Sequence, residues 1–480
     1  MPPTNILFIL TDDQGVWAAG CYGNPEIRTP NLDRLAATGV RFANFFVATP
    51  VCSPSRATLL TGRIPSQHGV HDWLKEGNVG PDAAEYLRDE VAYTDILARH
   101  GWTCGISGKW HLGASQIPQH GFTDWYVHQK GGGRYYDAPM VRNGQLVTEP
   151  GYVTDAITEQ AISYLDRYAE AGFPFYLGVH YTAPHSPWID NHPQDIVDSY
   201  DDCPFASCPQ EPAHPWIVEY MRKRLGDRES LKGYFAAVTA MDAGVGRILD
   251  RLEALGLRES TLVIFLSDNG FSCGHHGFWG KGNGTNPRNM YENSIKVPAI
   301  FSHPGRIPQG RVEDAMVSAY DFFPTLLDYL GVPLPASCTA GVLPASSPEK
   351  GAPTPPLGAG WKPAAQDGLN LPGTSFLPLL EGRACEGRED VVIFDEYGPV
   401  RMIRTREWKY VYRHAYGPHE LFDLVNDPDE RTNLADDPAQ ADRIADLKAR
   451  MDAWFEKYVI PAIDGLRQDG TAMGQERPVK

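Results

Sequence analysis

Asn5-Ile-Leu-Phe-Ile-Leu-Thr-Asp-Asp13 and Thr261-Leu-Val-Ile-Phe-Leu-Ser-Asp-Asn269 follow one plan: an apolar run of strand length that stops at a pair of acidic or amide side chains. Short apolar runs alternating with helix-period segments are the pattern of a mainly parallel sheet covered by helices on both faces. In an open α/β sheet, ligands collect at the carboxyl ends of the strands, so Asp12, Asp13, Asp268 and Asn269 can converge on one point. Four oxygen donors without His or Cys in those positions suit a hard cation, Ca²⁺ first and Mg²⁺ as the alternative. Acidic residues after strands also serve as turn formers and helix caps, and position alone does not separate the two readings.

Outward from these two runs, the same punctuation predicts strands at Val40–Phe46, Trp102–Ser107, Pro174–His180 and Val297–Phe301, each bounded by Gly, Pro, Asp or Asn. Helices are expected at Thr154–Tyr168 and Leu231–Leu255. In the second, Phe235, Val238, Met241, Val245, Ile248, Leu249 and Leu252 recur at helical spacing and Gly256 stops it. From Gly331 to Pro372 the periodicity fails and Pro, Ala, Gly and Ser dominate, which predicts a long loop or insertion. Four closely spaced strand-like stretches (Val391–Asp395, Val400–Thr405, Trp408–Arg413, Glu420–Leu424) and an amphipathic helix around Ala439–Tyr458 then predict a small antiparallel sheet with one helix. The expected organisation is a catalytic α/β domain over 1–375, carrying the 331–372 insertion, and a C-terminal α+β subdomain over 376–480.

The 480 residues suffice for a large core with a smaller companion, and the net charge of −17 argues against nucleic acid or an anionic membrane surface as partner. No apolar run approaches the roughly 20 residues that span a bilayer. The eight cysteines show neither a repeated spacing nor a Cys-x-x-Cys pair, against both a disulfide framework and a structural zinc site. Met1-Pro-Pro-Thr4 leads straight into the first strand with no charged leader or cleavage site, so the expected location is cytoplasmic, or periplasmic or secreted if a leader has been removed.

Val51-Cys-Ser-Pro-Ser-Arg-Ala-Thr-Leu-Leu-Thr-Gly-Arg63 reads as a turn feeding a short helix, which sets Cys52 at the positive end of the helix dipole with Arg56 one turn on. Cys52-Ser-Pro-Ser-Arg56 with Leu60-Thr-Gly62 resembles the signature of the formylglycine-dependent sulfatases of the alkaline phosphatase superfamily, whose maturation enzyme oxidises that Cys to an aldehyde. The Asn5–Asp13 strand and acidic pair, Gly108-Lys-Trp-His-Leu-Gly113, Ala183-Pro-His-Ser-Pro187, Leu266-Ser-Asp-Asn-Gly270, Gly280-Lys281, Met290-Tyr-Glu-Asn293 and Leu421–Leu434 resemble further family elements in the same order. The resemblance runs from residue 5 to about 435.

It implies an alkaline phosphatase-like fold and a sulfuric ester hydrolase in which Asp12, Asp13, Asp268, Asn269 and the modified Cys52 hold Ca²⁺. The hydrated aldehyde at 52 would attack sulfur. Arg56, Lys109 and Lys281 would supply fixed positive charge, His185 would protonate the leaving alkoxide, and His111 would take the proton from the second hydroxyl so that sulfate is expelled. His180, at the end of its strand, competes with His185, and His275 and His276 either line the pocket or pack against Trp279. His71, Asp72, Trp73, Arg134, Trp188, His276 and Asn289 are candidates for the substrate rim, being polar and aromatic types suited to a sugar. The expected substrate is a carbohydrate sulfate; rivals are an aryl sulfate, a phosphate or phosphonate ester, and, for a chain that keeps Cys52 as a thiol, anion binding without catalysis. Asp268-Asn269-Gly270 differs from the Asp-His-Gly frequent in the phosphoesterase relatives and favours the sulfatase arrangement.

Overall fold

In β1 (Asn5–Asp12) alternate side chains enter two different cores: Ile6, Phe8 and Leu10 pack on one face of the sheet and Leu7 and Ile9 on the other, all essentially inaccessible to solvent. Burial on both faces is why the run is continuously apolar. The computed structural model describes residues 4–334, 370–385, 387–394, 396–467 and 474–479.

After β1 come β2 (Val40–Phe46), β3 (Thr103–Gly108), β4 (Phe122–His128), β5 (Ala138–Arg142), β6 (Gln145–Glu149), β7 (Phe175–Pro184) and β8 (Thr261–Ser267). Then follow a ribbon of β9 (Ser272–Cys273) with β10 (Trp279–Gly280), and β11 (Ala299–Ser302) and β12 (Arg311–Ser318). Ten of these form one sheet in the order β12-β2-β11-β8-β1-β7-β3-β4-β5-β6. Its centre, β8-β1-β7-β3-β4, is parallel throughout; β11 and β5 run against their neighbours. The four strands whose carboxyl ends carry the predicted site, β8, β1, β7 and β3, are therefore adjacent and point the same way.

The helices Val153–Ala171 and Arg228–Ala254 cover one face, with Ile157, Leu165, Phe235, Val238, Met241 and Val245 in the core beneath them. The opposite face is closed by the helix Phe322–Leu330 and by the buried helix Cys52–Thr61. The C-terminal sheet is β13 (Asp390–Phe394), β14 (Val400–Thr405), β15 (Trp408–Arg413) and β16 (Glu420–Asp423), antiparallel in chain order. The helix Ala441–Tyr458 packs on it through Leu447, Met451 and Phe455. Buried Lys409 ties this sheet to the larger unit, 2.6 Å from Glu430 and 2.8 Å from Glu292. Of the Pro- and Gly-rich insertion expected from Gly331 to Pro372, residues 335–369 lie outside the described part.

Six strands escaped the sequence pattern: β5, β6 and β12 mix polar and apolar residues because they sit at or beside the sheet edges, where one side meets solvent, Thr123 and Asp124 interrupt the apolar run of β4, and β9 and β10 are two residues each, too short to show a period. Among the described residues no helix is long and apolar enough to cross a membrane.

Candidate functional site

Strand geometry delivers the polar residues to one point. β1 ends in Asp12 and is followed by Asp13 at φ 65°, and β8 ends one residue before Asp268 and Asn269. The backbone N–H of Asp13 donates to Oδ1 of Asp268 at 3.3 Å, and Asn269 Nδ2 donates to Oδ1 of Asp13 at 2.7 Å, so the two strand ends lock together. β3 supplies Lys109, whose Nζ lies 2.5 Å from Oδ2 of Asp12, both side chains fully buried. Lys281 comes from the loop after β10 and sets its Nζ 2.5 Å from Oδ1 of Asp13 and 3.3 Å from Oδ1 of Asn269. Asn289 holds that loop by donating to the carbonyls of Lys281 at 3.0 Å and Gly282 at 3.1 Å.

The helix Cys52–Thr61 points its N-terminus into this cluster and ends at Gly62, which takes φ 70°. Arg56 Nε donates to Oδ2 of Asp268 at 2.8 Å and Nη1 to the Lys109 carbonyl at 3.0 Å. Cys52 Sγ lies 3.4 Å from Nδ1 of His111. The other ring nitrogen, Nε2, faces the Leu74 carbonyl at 3.1 Å and must therefore carry the proton, which leaves the Nδ1 lone pair directed at residue 52. His111 stands at φ 56°, a strained conformation for a residue with a side chain, and burial together with the Lys109 charge holds its pKa well below the ordinary imidazole value. Burial pushes the Cys52 thiol up despite Lys109 and Lys281, so an unmodified Cys52 keeps its proton.

Above this floor opens a pocket of about 410 Å³. Asp13, Cys52, His111, His185 and Lys281 form its base; Trp73, Trp188, Tyr220 and Phe271 are its aromatic walls, and Lys75 and Lys130 stand at the mouth. His185 donates from Nδ1 to the Ser186 carbonyl at 2.8 Å, which turns Nε2 toward Asp13 Oδ2, 3.8 Å away.

The profile of the protein family described as Sulfatase matches residues 4–332 of this chain, more than half of it. The chain belongs to the sulfatase family. It is 28% identical to an N-acetylglucosamine-6-O-sulfatase of Bacteroides thetaiotaomicron over 89% of this chain and 81% of that one. With an ulvan-active sulfatase of Formosa agariphila it shares 30% identity over 88% of this chain and 75% of the other. A solved structure of a protein in complex with its substrate D-glucosamine-2-N,6-O-disulfate superposes with a TM-score of 0.77 at 24% identity, covering 98% of this chain and 100% of that one, a likeness of fold. As a family member the chain is a sulfuric ester hydrolase, and its Asp12, Asp13, Asp268, Lys109, Lys281, Arg56 and Cys52 stand together at the carboxyl end of the sheet.

The sulfatase's donor set fits the divalent cation that its family uses. Asp12 Oδ1 is buried without a hydrogen-bond partner, and Asp12, Asp13 and His185 each present one ligand atom within 4.8 Å of the others. Burial and the charge of Asp12 push Asp268 up to about 7 even though Arg56 sits beside it. Burial acts on Asp12 too, but Lys109, His185, Lys281 and Arg56 together pull it well below the carboxylate range. Carboxylates crowded this way call for positive charge among them, and mainly oxygen donors select Ca²⁺ or Mg²⁺ over softer ions.

The structure places the expected rim residues unevenly. Trp73 and Trp188 line the pocket of this sulfatase. His71 and Asp72 do not: His71 is buried against Tyr397, ring centroids 5.6 Å apart, and Asp72 accepts hydrogen bonds from the backbone of Trp73 and Gly474. His276 stacks on Tyr291 at 3.9 Å, Arg134 is exposed away from the pocket, and Asn289 acts through the Lys281 loop. His275 packs on Trp17 and contacts the Ser207 carbonyl. His180 turns under the site, Nδ1 3.2 Å from the Lys109 carbonyl, and burial lowers it to about 3, so of the competing pair His180 and His185 it is His185 that lines the pocket. Tyr220, Met221 and the Lys130–Gly132 segment were missed. The glycine run Gly131-Gly132-Gly133 was the available signal, since a Cβ on Gly131 would come 2.1 Å from Cε1 of His111.

Proposed function

We propose that this chain hydrolyses a sulfate monoester of a sugar, using Cys52 converted to formylglycine and a Ca²⁺ ion held by Asp12, Asp13, Asp268, Asn269 and the modified residue 52. When both are present, the cation supplies charge to a sulfate oxygen and the hydrated aldehyde supplies the attacking oxygen. The observation that carries the reading is His111 Nδ1, unprotonated and 3.4 Å from Sγ of residue 52, placed to accept a proton from a hydroxyl there. His185 Nε2, at the pocket base, would give a proton to the departing alcohol oxygen. Lys281, at the pocket base, would hold the sulfate, while Lys109 and Arg56, buried beneath it and already fixed by carboxylates and carbonyls, would supply positive charge without reorganising, Arg56 mainly to the hydrate.

The aromatic walls Trp73, Trp188 and Tyr220 suit the apolar faces of a sugar ring, and relatives with carbohydrate names support that class. Aryl sulfates would meet the same walls and are the second reading. Cys52 is 4% exposed within a wholly buried helix, so a maturation enzyme would meet this segment before it folds.

Mass spectrometry of the tryptic peptide ending at Arg56, combined with a screen of 6-O-sulfated amino sugars, other sugar sulfates and 4-nitrophenyl sulfate, tests the proposal. The expected result is residue 52 lacking one sulfur and two hydrogens and gaining one oxygen, with sulfate released fastest from a sugar. Full turnover by a protein whose residue 52 is entirely thiol would reject the nucleophile, and exclusive action on phosphate esters would reject the substrate class.

A further inference from the structure

The last described residues, Gly474–Val479, lie some 400 positions from the segment they touch, yet they run beside Gly69–Lys75 next to the pocket. Gln475 is 2% exposed and uses every polar group it has. Its Oε1 accepts from the His71 N–H at 2.8 Å, and its Nε2 donates to the carbonyls of Gly69 at 2.9 Å and Arg477 at 3.1 Å. Its own N–H donates to the Trp73 carbonyl at 2.8 Å and its carbonyl accepts from the Lys75 N–H at 2.9 Å. Gly474 adds a bond to Asp72 Oδ2 at 3.0 Å. Its φ is 87°, and a Cβ there would meet the Trp73 ring at 2.8 Å.

Residues 73 and 75 are thus fastened to the tail, and the peptide groups of Leu74 between them point the opposite way, as alternation along an extended segment requires. The Leu74 N–H donates to Ser53 Oγ at 3.2 Å, beside Cys52, and the Leu74 carbonyl accepts the Nε2 proton of His111 at 3.1 Å. Ser53 Oγ closes the ring by donating to the His111 carbonyl at 3.0 Å. The Leu74 carbonyl, which also accepts from Asn78 Nδ2 at 3.1 Å, is among the described residues the acceptor that fixes which nitrogen of His111 carries the proton.

We propose that Gln475 is a positioning residue for the reaction: by clamping Gly69–Lys75 it aims the Leu74 carbonyl at His111, and so holds the His111 lone pair on residue 52. The inference rests on the reading of His111 given above, and it makes the C-terminal tail a working part of the catalytic centre. A tail that merely covered the surface would leave turnover per folded molecule intact.

The test is the full chain carrying Gln475→Ala, with Gln475→Glu as a second variant that keeps the Oε1 acceptor but loses the donor to Gly69. Modification of residue 52 is measured by mass spectrometry in each, and rates are divided by the folded fraction from thermal melts. For Gln475→Ala we expect kcat to fall between about tenfold and a hundredfold with KM within about threefold, because ångström-scale misplacement of a reacting group acts on the chemical step. Gln475→Glu should lie between it and the parent. An unchanged kcat per folded, modified molecule overturns the proposal, as does a loss confined to KM. If the parent chain hydrolyses no sulfate ester, the functional reading fails separately. Crystal structures of parent and Gln475→Ala then decide the positioning claim alone: a Leu74–His111 hydrogen bond unmoved in the variant overturns it.

Discussion

Arg56 donates from Nε to Oδ2 of Asp268 at 2.8 Å with the two side chains 3% and 0% exposed, which joins the helix that carries Cys52 to the end of β8. Buried this deeply, either partner left alone is an uncompensated charge. Arg56→Ala should cost about 3–5 kcal/mol. Arg56→Lys should also fail, because one ammonium cannot reach both Asp268 and the Lys109 carbonyl as the guanidinium does. Urea unfolding in the presence of a chelator, so that no added cation compensates, measures the loss; a midpoint equal to that of the parent would contradict it.

Gly131 packs its α-carbon against the His111 ring, where a Cβ would come within 2.1 Å of Cε1, while the same addition at Gly133 meets only Pro139 at an ordinary 3.5 Å. Gly131→Ala should therefore displace the ring and lower kcat at least about tenfold, whereas Gly133→Ala should stay within about twofold of the parent. Equal kinetics for the two variants would show that His111 does not need its present place.

Removing divalent cations should destabilise the protein. Asp12 Oδ1 has no hydrogen-bond partner and Asp268 is already pushed up to about 7, so a bound cation relieves both. Calcium at a hundred times its dissociation constant should add about 2.7 kcal/mol, read as a rise in Tm over chelated protein. Magnesium should give less at equal concentration, since it demands stricter octahedral geometry. Asp12→Asn should abolish most of the calcium response, and identical melts with calcium and chelator would refute the site.

Tyr220 is 52% exposed on the pocket wall and reaches the site from a short helix, Glu219–Arg222, that belongs to the long connection after β7. If it is a platform for a sugar ring, Tyr220→Ala should raise KM for a sugar sulfate by about three- to tenfold with little change in kcat, the signature of binding lost equally from ground and transition states. Tyr220→Phe should keep the parental KM. A fall in kcat alone would instead place Tyr220 in the chemistry.

How much of this was legible in the sequence follows from what each feature depends on. Continuous apolar runs reported β1, β7 and β8 because both faces of those strands are buried, and Asp12-Asp13 and Asp268-Asn269 at the ends of β1 and β8 were then placed by sheet topology alone. Cys52, Arg56, Lys109, His111, His185 and Lys281 came from motif resemblance, and they gather at one end of the sheet: Cys52 meets His111, Arg56 the Lys109 carbonyl, Lys109 Asp12, and His185 and Lys281 both Asp13. The rim was poorly legible. His71 and Asp72 have the composition of ligand-binding residues, but the His71 ring is buried against Tyr397 with its backbone N–H held by Gln475, and Gly474, about 400 residues away, claims the Asp72 carboxylate. Tyr220 and Lys130 lie in irregular connections whose course no local periodicity encodes.

Acid should unfold this protein earlier than carboxylate titration alone would. Burial lowers His71 and His275 to about 4, His128, His180 and His192 to about 3, and His68 well below the ordinary value. In the unfolded chain each of these imidazoles titrates near pH 6.5. Below that pH the unfolded state binds protons that the native state refuses, and stability therefore falls as pH falls, by up to about 1.4 kcal/mol per pH unit for each such group until its folded pKa is reached. Above pH 7 both states hold the rings neutral and the contribution is flat. Melting temperatures taken from pH 7.5 to 4.5 at constant calcium should be level at first and then drop steeply below about 6.5. His180→Phe, which removes one buried ring whose Nε2 has no partner, should reduce that slope by about one proton. A level Tm down to pH 5 would mean that these rings are protonated in the native state, against the burial that the structure gives them.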